Sequence, residues 1–337
     1  METLSPSATY EQLASGGTCV WWQLTTFVRV QGEGTFDFLD SVATQHLDGI
    51  EPGHSRHALF LTNKARIIAA TMAYRADAQT LLLELDERLA DELVSHLKKY
   101  KLRAKCTIER VDLRTTSIVG PRAQEWIDRD STEREGWYDS PAYGVPAAVY
   151  IGAVDAVHDL VNVRLPAAGI QHADAETVDA ARIERGIASL GDMLPGSMPA
   201  EVGAVPLAVS LDKGCYLGQE PVARLHYRGK PNRTLRTVSL ATEIPDDYGA
   251  DDDFAGDDYL ALVAPPADGA DTPGKRVGTL TSWAHSPTRG LVGLAIVRRE
   301  VEDGTTLRLA GTDDSDAVGV TPTPLEAVAP AEPAERH

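Results

Sequence analysis

The sequence predicts an α+β fold, and the order of its elements is the reason. Short runs rich in β-branched and aromatic residues follow one another as hairpins, while helical patterns occur singly between them. Regular alternation of strand and helix, which is typical of parallel sheets, is absent from this pattern. At 337 residues with 43% hydrophobic content, the chain is long enough for more than one core.

The first elements are a strand, a glycine turn and a helix. The segment 20–30 is rich in Val, Thr and aromatic residues, which favours a strand, and Gly32 and Gly34 follow it as a turn. Apolar residues then recur at helical spacing. The helix-defining positions are Phe36, Leu39, Ala43 and Leu47.

Hairpins and two further helices make up the middle of the chain. The predicted strands are 57–61, 66–74, 80–85 and 104–113. Asp86 is predicted to cap a helix with an apolar stripe of Leu89, Leu93 and Leu97. A second helix is predicted over 174–185, with Asp174 as its cap and Gly186 at its end.

The C-terminal part is predicted to be a separate small β-barrel or sandwich. A boundary soon after Arg236 divides the chain into regions 1–236 and 237–321, with a frayed tail at 322–337. A loop dense in Asp and Gly spans 244–258, and a Pro-rich stretch spans 265–273. The predicted strands of this region are 259–263, 276–283, 291–298 and 306–309.

Composition excludes several functional classes. The net charge of −18 argues against nucleic-acid and anionic-membrane partners, and acid excess also suits a cytoplasm rich in salt. The uncharged stretch 140–154 falls short of the about 20 apolar residues that a membrane helix needs. Three cysteines without C-x-x-C spacing indicate neither a disulfide framework nor a metal site. Since no signal-peptide pattern is present, we expect a reducing, cytoplasmic location.

Cys215 is the candidate reactive residue. Pro221 fits the first turn of a helix and Gly229 its end, so a helix is predicted from about Gln219 to Tyr227. Cys215 then precedes a helix N-terminus and follows Lys213, and both features favour the thiolate form. The alternative is that Cys215 is a small buried residue in a turn, which is also the interpretation for Cys19 and Cys106.

The segment Lys213-Gly214-Cys215-Tyr216-Leu217-Gly218-Gln219-Glu220 resembles the signature of YgfZ-type folate-binding proteins, a branch of the GcvT family. The resemblance extends over about residues 20–310. Further matching motifs are Gly32-x-Gly34, Arg182-x-Glu184-x-Gly186, Pro199-Ala200-Glu201, Val277-Gly278-x-Leu280-Thr281-Ser282 and Gly293-Leu294-Ala295.

The resemblance implies a ring of α+β subdomains around a central hole that binds tetrahydrofolate, with a C-terminal β-barrel. It implies that the Glu184 carboxylate accepts hydrogen bonds from the pterin ring. Glu201 is either a further polar contact or a structural cap, and arginines could face the folate's glutamate tail. Cys215 and Lys213 form the catalytic set that the resemblance implies. The implied cofactor-binding set is Arg182, Glu184, Glu201, Gly214, Tyr216, Gly218, Gln219, Glu220, Arg224 and Arg228.

One departure from GcvT bears on activity. Aminomethyltransferases of that family carry aspartate where residues 65–71 of this chain carry alanines. Three functions follow as hypotheses. The first is a tetrahydrofolate-binding accessory factor for iron-sulfur cluster assembly or repair, with client or assembly proteins as partners. The second is a folate-dependent aminomethyl- or methyltransferase. The third is a binding module without catalysis.

Overall fold

The protein is described from a computed structural model. The described residues are 3–20, 25–128, 136–241, 244, 261–264, 274–310 and 320–323. Among them, no helix combines the length and the apolar character needed to cross a membrane. The predicted loops 244–258 and 265–273 and the predicted tail fall almost wholly outside these residues.

The strands, in chain order, are β1 (Thr18–Val20), β2 (Thr25–Gln31), β3 (Ser55–Leu61), β4 (Ile67–Arg75), β5 (Thr80–Asp86), β6 (Thr107–Val111), β7 (Arg114–Val119), β8 (Trp137–Asp139), β9 (Ala147–Gly152), β10 (Gln171–His172), β11 (Arg233–Leu240), β12 (Ala261–Val263), β13 (Arg276–Ser286), β14 (Gly290–Arg298), β15 (Arg308–Leu309) and β16 (Val320–Thr323). The helices are α1 (Pro6–Ser15), α2 (Thr35–Val42), α3 (Ala90–Tyr100), α4 (Gln124–Ile127), α5 (Val154–Asp159), α6 (Leu165–Ala167), α7 (Ala175–Glu184), α8 (Val205–Ala208) and α9 (Gln219–Arg228). Together these elements confirm the predicted α+β class.

The first sheet has the antiparallel order β3-β4-β5-β2-β6. Successive residues of a strand point to opposite faces. In β5, Leu81, Leu83 and Leu85 therefore join the core under α2 and α3. Leu82 lies in a different cluster, with Met72 of β4 and residues of the second sheet. Glu84 shares the face of Leu82, and this places a carboxyl group between two sheets.

The second sheet has the order β10-β1-β7-β9-β8, in which β1 and β10 are parallel. Cys19 of β1 is buried here among Trp126 and Trp137, in agreement with its interpretation as a small core residue. The face that carries Val149 and Ile151 turns toward Met72 and Tyr74 of the first sheet. These two sheets form the walls of the cavity described below.

The third sheet has the order β15-β12-β13-β14-β11-β16. Its two edges approach at an isolated bridge, where the backbone N–H groups of Leu307 and Val320 donate to each other's carbonyl at 2.8 and 3.2 Å. Within the described residues this sheet is not closed, so the predicted barrel is not confirmed as such. Strand β11 crosses the predicted boundary after Arg236. The division into 1–236 and 237–321 stays a prediction.

Two predicted elements are shorter than expected. Helix α2 ends at Val42 because Ala43 is extended, with φ −93° and ψ 153°, so the helix that we predicted through Leu47 is wrong at its end. The strand predicted over 104–113 is limited to β6. At Ala104 the backbone forms a turn instead, in which the Ala104 N–H donates to the Lys101 carbonyl. The caps are as predicted at α7, where the Asp174 side chain accepts a hydrogen bond from the Thr177 N–H.

Candidate functional site

The cysteine segment, residues 213–220, is held rigidly against α2 and the β3–β4 turn. Helix α9 begins at Gln219 and is followed by Gly229, as the sequence predicts. Gly218 precedes it with φ +85°, and a Cβ there would lie 2.6 Å from the Thr62 carbonyl oxygen. Position 218 therefore requires glycine for both conformation and space. The Leu217 N–H donates to the Ser41 carbonyl at 3.2 Å.

Lys213 anchors this segment at the end of α2. Its ammonium donates to the backbone carbonyls of Asp40, Ala43 and Gln45 at 2.8, 3.0 and 2.8 Å. The side chain is 1% exposed, and the Asp40 carboxylate lies 3.6 Å away. Burial lowers the pKa of Lys213, and Asp40 opposes that change. These contacts place the cation at a helix C-terminus, where cations are favoured. The catalytic role predicted for Lys213 stays a prediction.

Cys215 itself is exposed, so the alternative of a buried turn residue is wrong. The following Tyr216 is buried, and burial raises its pKa to about 12. Gln219 Nε2 donates to the Lys213 carbonyl at 3.4 Å, whereas Gly214 and Glu220 are exposed. The segment thus presents one thiol to the outside on a support that is fixed from below. Arg224 and Arg228 are exposed on α9.

A cavity of about 690 Å³, here called the central cavity, lies between the sheets. All three sheets and α7 contribute to its walls, and its volume is within the range of small-molecule sites. Among the described residues that line it, none belongs to 213–228. The thiol and the central cavity are therefore separate features of the molecule. Residues that line the cavity with polar groups include Thr25, His57, Tyr74, Glu84, Thr115, Ser117, Asp179 and Arg182.

Glu84 lies in the wall of the central cavity together with two other acids, Asp86 and Asp179, and the sequence interpretation did not assign it to the site. Its two carboxyl oxygens accept hydrogen bonds from Tyr74 Oη at 2.7 Å and from Thr25 Oγ1 at 2.9 Å. The residue is 8% exposed, and burial raises its pKa although both hydrogen bonds oppose the change. A single acid within the apolar strand Thr-Leu-Leu-Leu-Glu-Leu is the sequence signal, because an unpaired buried carboxyl group is rare.

Two buried polar atoms in the cavity wall have no partner within the described part of the chain. They are His57 Nε2 and Thr115 Oγ1. Burial lowers the pKa of His57 to about 4, so its ring is neutral at physiological pH. Leaving such atoms without a hydrogen bond is costly. His57, Thr115 and Glu84 thus place polar side chains in the wall of one cavity.

Arg182, which is predicted to bind cofactor, lies in the wall of the central cavity, but its guanidinium donates hydrogen bonds to other groups of the protein. Its Nε donates to Asp179 at 2.7 Å, and its Nη1 donates to Asp192 at 2.8 Å and to the Ile187 carbonyl. Nη2 donates to Ser282 Oγ at 3.1 Å. Arg182 is 4% exposed and Asp192 is fully buried. The guanidinium therefore joins α7 to β13 and the loop that follows α7.

The two glutamates carried over from the family motifs also have internal partners. The Glu184 carboxylate accepts hydrogen bonds from Tyr10 Oη and Thr288 Oγ1, each at 3.1 Å, and from the Ser286 hydroxyl. Glu184 is not among the described residues that line the central cavity. Glu201 accepts from the Met198 N–H at 3.0 Å and lies 3.4 Å from Arg66. The contact with Met198 agrees with a structural cap, and the role of Glu201 as a polar contact to a cofactor stays a prediction.

Comparison with known proteins gives both a fold and a set of relatives. No family model matches the chain. The solved structure of the glycine cleavage system aminomethyltransferase T from Bartonella henselae superposes with a TM-score of 0.72, covering 95% of this chain and 89% of that one at 16% identity. At this identity the match establishes the GcvT-like fold and no more.

Curated relatives are iron-sulfur cluster assembly factors by name. Iron-sulfur cluster assembly factor IBA57 of Mus musculus is 27% identical and covers 90% of this chain and 83% of its own. The IBA57 homolog of Pyricularia oryzae is 26% identical, covering 83% and 71%. The homolog of Coccidioides immitis is 27% identical, covering 81% and 69%. The predicted resemblance to the YgfZ/GcvT-like family is thereby confirmed.

The relatives also correct one prediction. All three are mitochondrial by name, so the plain prediction of a cytoplasmic location is wrong. The error has a physical reason. The number and spacing of the cysteines indicate a reducing compartment, and they do not distinguish one reducing compartment from another.

Proposed function

We propose that this protein is a tetrahydrofolate-binding accessory factor that supports the assembly or repair of iron-sulfur clusters. The observation that carries the proposal is the similarity to assembly factors over most of the length of both chains. The exposed, rigidly supported Cys215 agrees with it. Iron-sulfur client or assembly proteins are the partners that this function requires.

The central cavity is the proposed folate site. Glu84 is proposed to meet the amino and ring N–H groups of the pterin, since a carboxyl group pairs well with such donors. His57 and Thr115 are further polar residues in the wall of the same cavity. When bound, the reduced folate would supply one-carbon chemistry. The walls come from three sheets, and this supports the predicted arrangement of subdomains around a folate-binding hole.

Cys215 is the proposed contact with the iron-sulfur partner. An exposed thiolate is a ligand for cluster iron, and a partner protein can reach it without rearrangement of the core. Lys213 is proposed as a positioning residue, because its ammonium fixes the segment to the end of α2. Gly214, Tyr216 and Gln219 would support the same segment. Glu220, Arg224 and Arg228 stay predicted ligand contacts.

The test is a Cys215→Ser variant expressed in a host cell that lacks its own copy of this factor. Loss of activity of a [4Fe–4S] enzyme, at an unchanged level of the variant protein, is the expected result. Cys106→Ala is the matched control because it removes a buried thiol elsewhere. Full activity of the iron-sulfur enzyme with Cys215→Ser would show that Cys215 is not required for the proposed function.

A folate-dependent aminomethyl- or methyltransferase is the second candidate, and Glu84 is the observation that favours it. Burial raises the pKa of Glu84, so this group could exchange a proton within the cavity, while alanines in β4 stand where the resemblance to aminomethyltransferases implies aspartates. Turnover of an aminomethyl donor with tetrahydrofolate would establish this function. Binding of folate without turnover would exclude it, and absence of binding would leave the third hypothesis of a protein without folate. Each assay is repeated in about 1 M salt, because the acid excess suits such conditions.

A further inference from the structure

A second concave site, here called the arginine cleft, lies where the loop after α7 meets the third sheet. Its volume is about 530 Å³. It shares no described lining residue with the central cavity, so it is a separate site. Five arginines line it, four of them contributed by β11, β13 and β14 and the residue after β14. They are Arg66 in the turn just before β4, Arg233, Arg276, Arg298 and Arg299.

The charge of the arginine cleft is opposite to that of the whole chain. The five arginines face two glutamates in the cleft, whereas the chain carries a net charge of −18. Both glutamates already have hydrogen-bond or ion-pair partners in the protein. Glu201 accepts from the Met198 N–H at 3.0 Å and pairs at 3.4 Å with Arg66 of the cleft, and Glu300 pairs at 3.0 Å with Lys275, which is not among the described residues that line the cleft. A surplus of positive charge therefore remains inside a concave surface.

The sheet register brings two of these arginines together. Arg233 of β11 and Arg298 of β14 are direct cross-strand partners. Like charges at directly opposed positions destabilise a sheet. Arg298 lies 3.9 Å from the Glu300 carboxylate that Lys275 already occupies. Within the described residues, neither Arg233 nor Arg299 forms an ion pair with a carboxylate. An anion bound between the two guanidinium groups would replace this repulsion by attraction of both groups to the anion.

We propose that the arginine cleft binds a small polyanion that carries at least two phosphate or carboxylate groups. Guanidinium groups are planar forks that match both groups in bidentate fashion. A volume of about 530 Å³ is within the range of small-molecule sites. The concave shape also favours a small molecule over the surface of a partner protein. The site is independent of the folate and iron-sulfur proposals and does not include Cys215.

The test is calorimetric titration of the full chain with inorganic pyrophosphate and, separately, with citrate. We expect one equivalent of at least one anion to bind and to raise the thermal midpoint. Affinity should fall between about 0.1 and 1 M NaCl as the Debye length shortens from ~10 to ~3 Å. The double variant Arg233→Gln with Arg299→Gln should weaken binding about tenfold or more. A matched loss of two exposed charges, Arg103→Gln with Arg164→Gln, should leave it unchanged.

The two anions distinguish the source of the ligand chemistry. Binding of pyrophosphate alone assigns a phosphate ligand, and binding of citrate alone assigns a carboxylate ligand. Failure of both, or equal affinity in the cleft double variant, overturns the proposal. So does binding of a glutamate-rich peptide when neither small anion binds, because the cleft would then be a protein-docking surface.

A stability measurement tests the repulsion independently. In anion-free buffer, Arg233→Gln removes one of two opposed charges, so its thermal midpoint should equal or exceed that of the wild type. Pyrophosphate should then raise the midpoint of the variant less than that of the wild type. A lower midpoint of Arg233→Gln in anion-free buffer contradicts the repulsion on which the proposal depends.

Discussion

Replacement of Arg182 by methionine tests whether this residue is structural. The change keeps an apolar stem but removes the guanidinium, which leaves Asp192, a fully buried residue, without its cation at 2.8 Å. Removal of one partner from a buried ion pair costs about 3–5 kcal/mol. A domain is stable by only about 5–15 kcal/mol, so the variant should lose about a fifth or more of its stability. Asp179 and the Ile187 carbonyl lose their donor as well.

Urea unfolding of the full chain measures this cost, and Arg122→Met is the matched control. Arg122 also pairs with an acid three residues on, Glu125, but these side chains are 34% and 56% exposed. That exposed pair should contribute only about 0–1 kcal/mol. A loss below about 1 kcal/mol for Arg182→Met would refute the reasoning. Arg182→Met combined with Asp192→Asn should recover part of the loss, since it removes the unpaired buried charge.

The pH dependence of the same variant follows from Asp192. Burial raises the pKa of Asp192, but Arg182 and the Ser282 and Thr281 hydroxyls outweigh it, so the net shift is downward. A carboxyl group with a lowered pKa in the folded state stabilises the protein above its unfolded pKa of about 4. That stabilisation is lost as the pH falls through the lowered folded value. Without Arg182, acid unfolding should begin at a higher pH.

Three further predictions concern thiols, His57 and Lys213. In the folded protein one thiol, Cys215, should react with a thiol reagent, because Cys106 is buried and burial raises the pKa of Cys19 to about 11; rapid reaction of two or more thiols would contradict this. The pKa of His57 is lowered to about 4, so the unfolded chain binds one more proton between pH 6.5 and 4 and stability should fall by ~3 kcal/mol across that window. The difference between wild type and His57→Gln in urea unfolding measures it, and equal slopes would refute it. Lys213→Met should cost about 2–3 kcal/mol, because three carbonyls lose a charged donor, and a neutral result would remove its anchoring role.

Local sequence signals predicted local structure well. Asp174 caps α7, and Pro221 and Gly229 mark the first turn and the end of α9, because caps and turn residues act within a few positions of themselves. The hairpins β3–β4–β5 follow from alternation of side chains in a buried sheet. These features need no knowledge of distant parts of the chain.

The site depends on contacts that lie far apart in the sequence. Glu184 was predicted to meet a pterin, but its hydroxyl partners come from α1 and from the β13–β14 hairpin, about a hundred or more positions away. No local sequence pattern predicts such partners. Glu84 could have been found as a lone acid in an apolar strand. Its hydrogen-bond partner Thr25, which belongs to a strand far away in the sequence, could not. The separation of Cys215 from the central cavity is likewise a property of the tertiary fold.

The most direct test of the account is a calorimetric titration with tetrahydrofolate of the wild type, Glu84→Gln and Glu184→Gln. We expect one equivalent to bind the wild type, Glu84→Gln to weaken that binding about tenfold or more, and Glu184→Gln to have little effect on it. No binding to the wild type in low or molar salt, or loss of binding in Glu184→Gln with full affinity in Glu84→Gln, would contradict the assignment of the central cavity as the folate site.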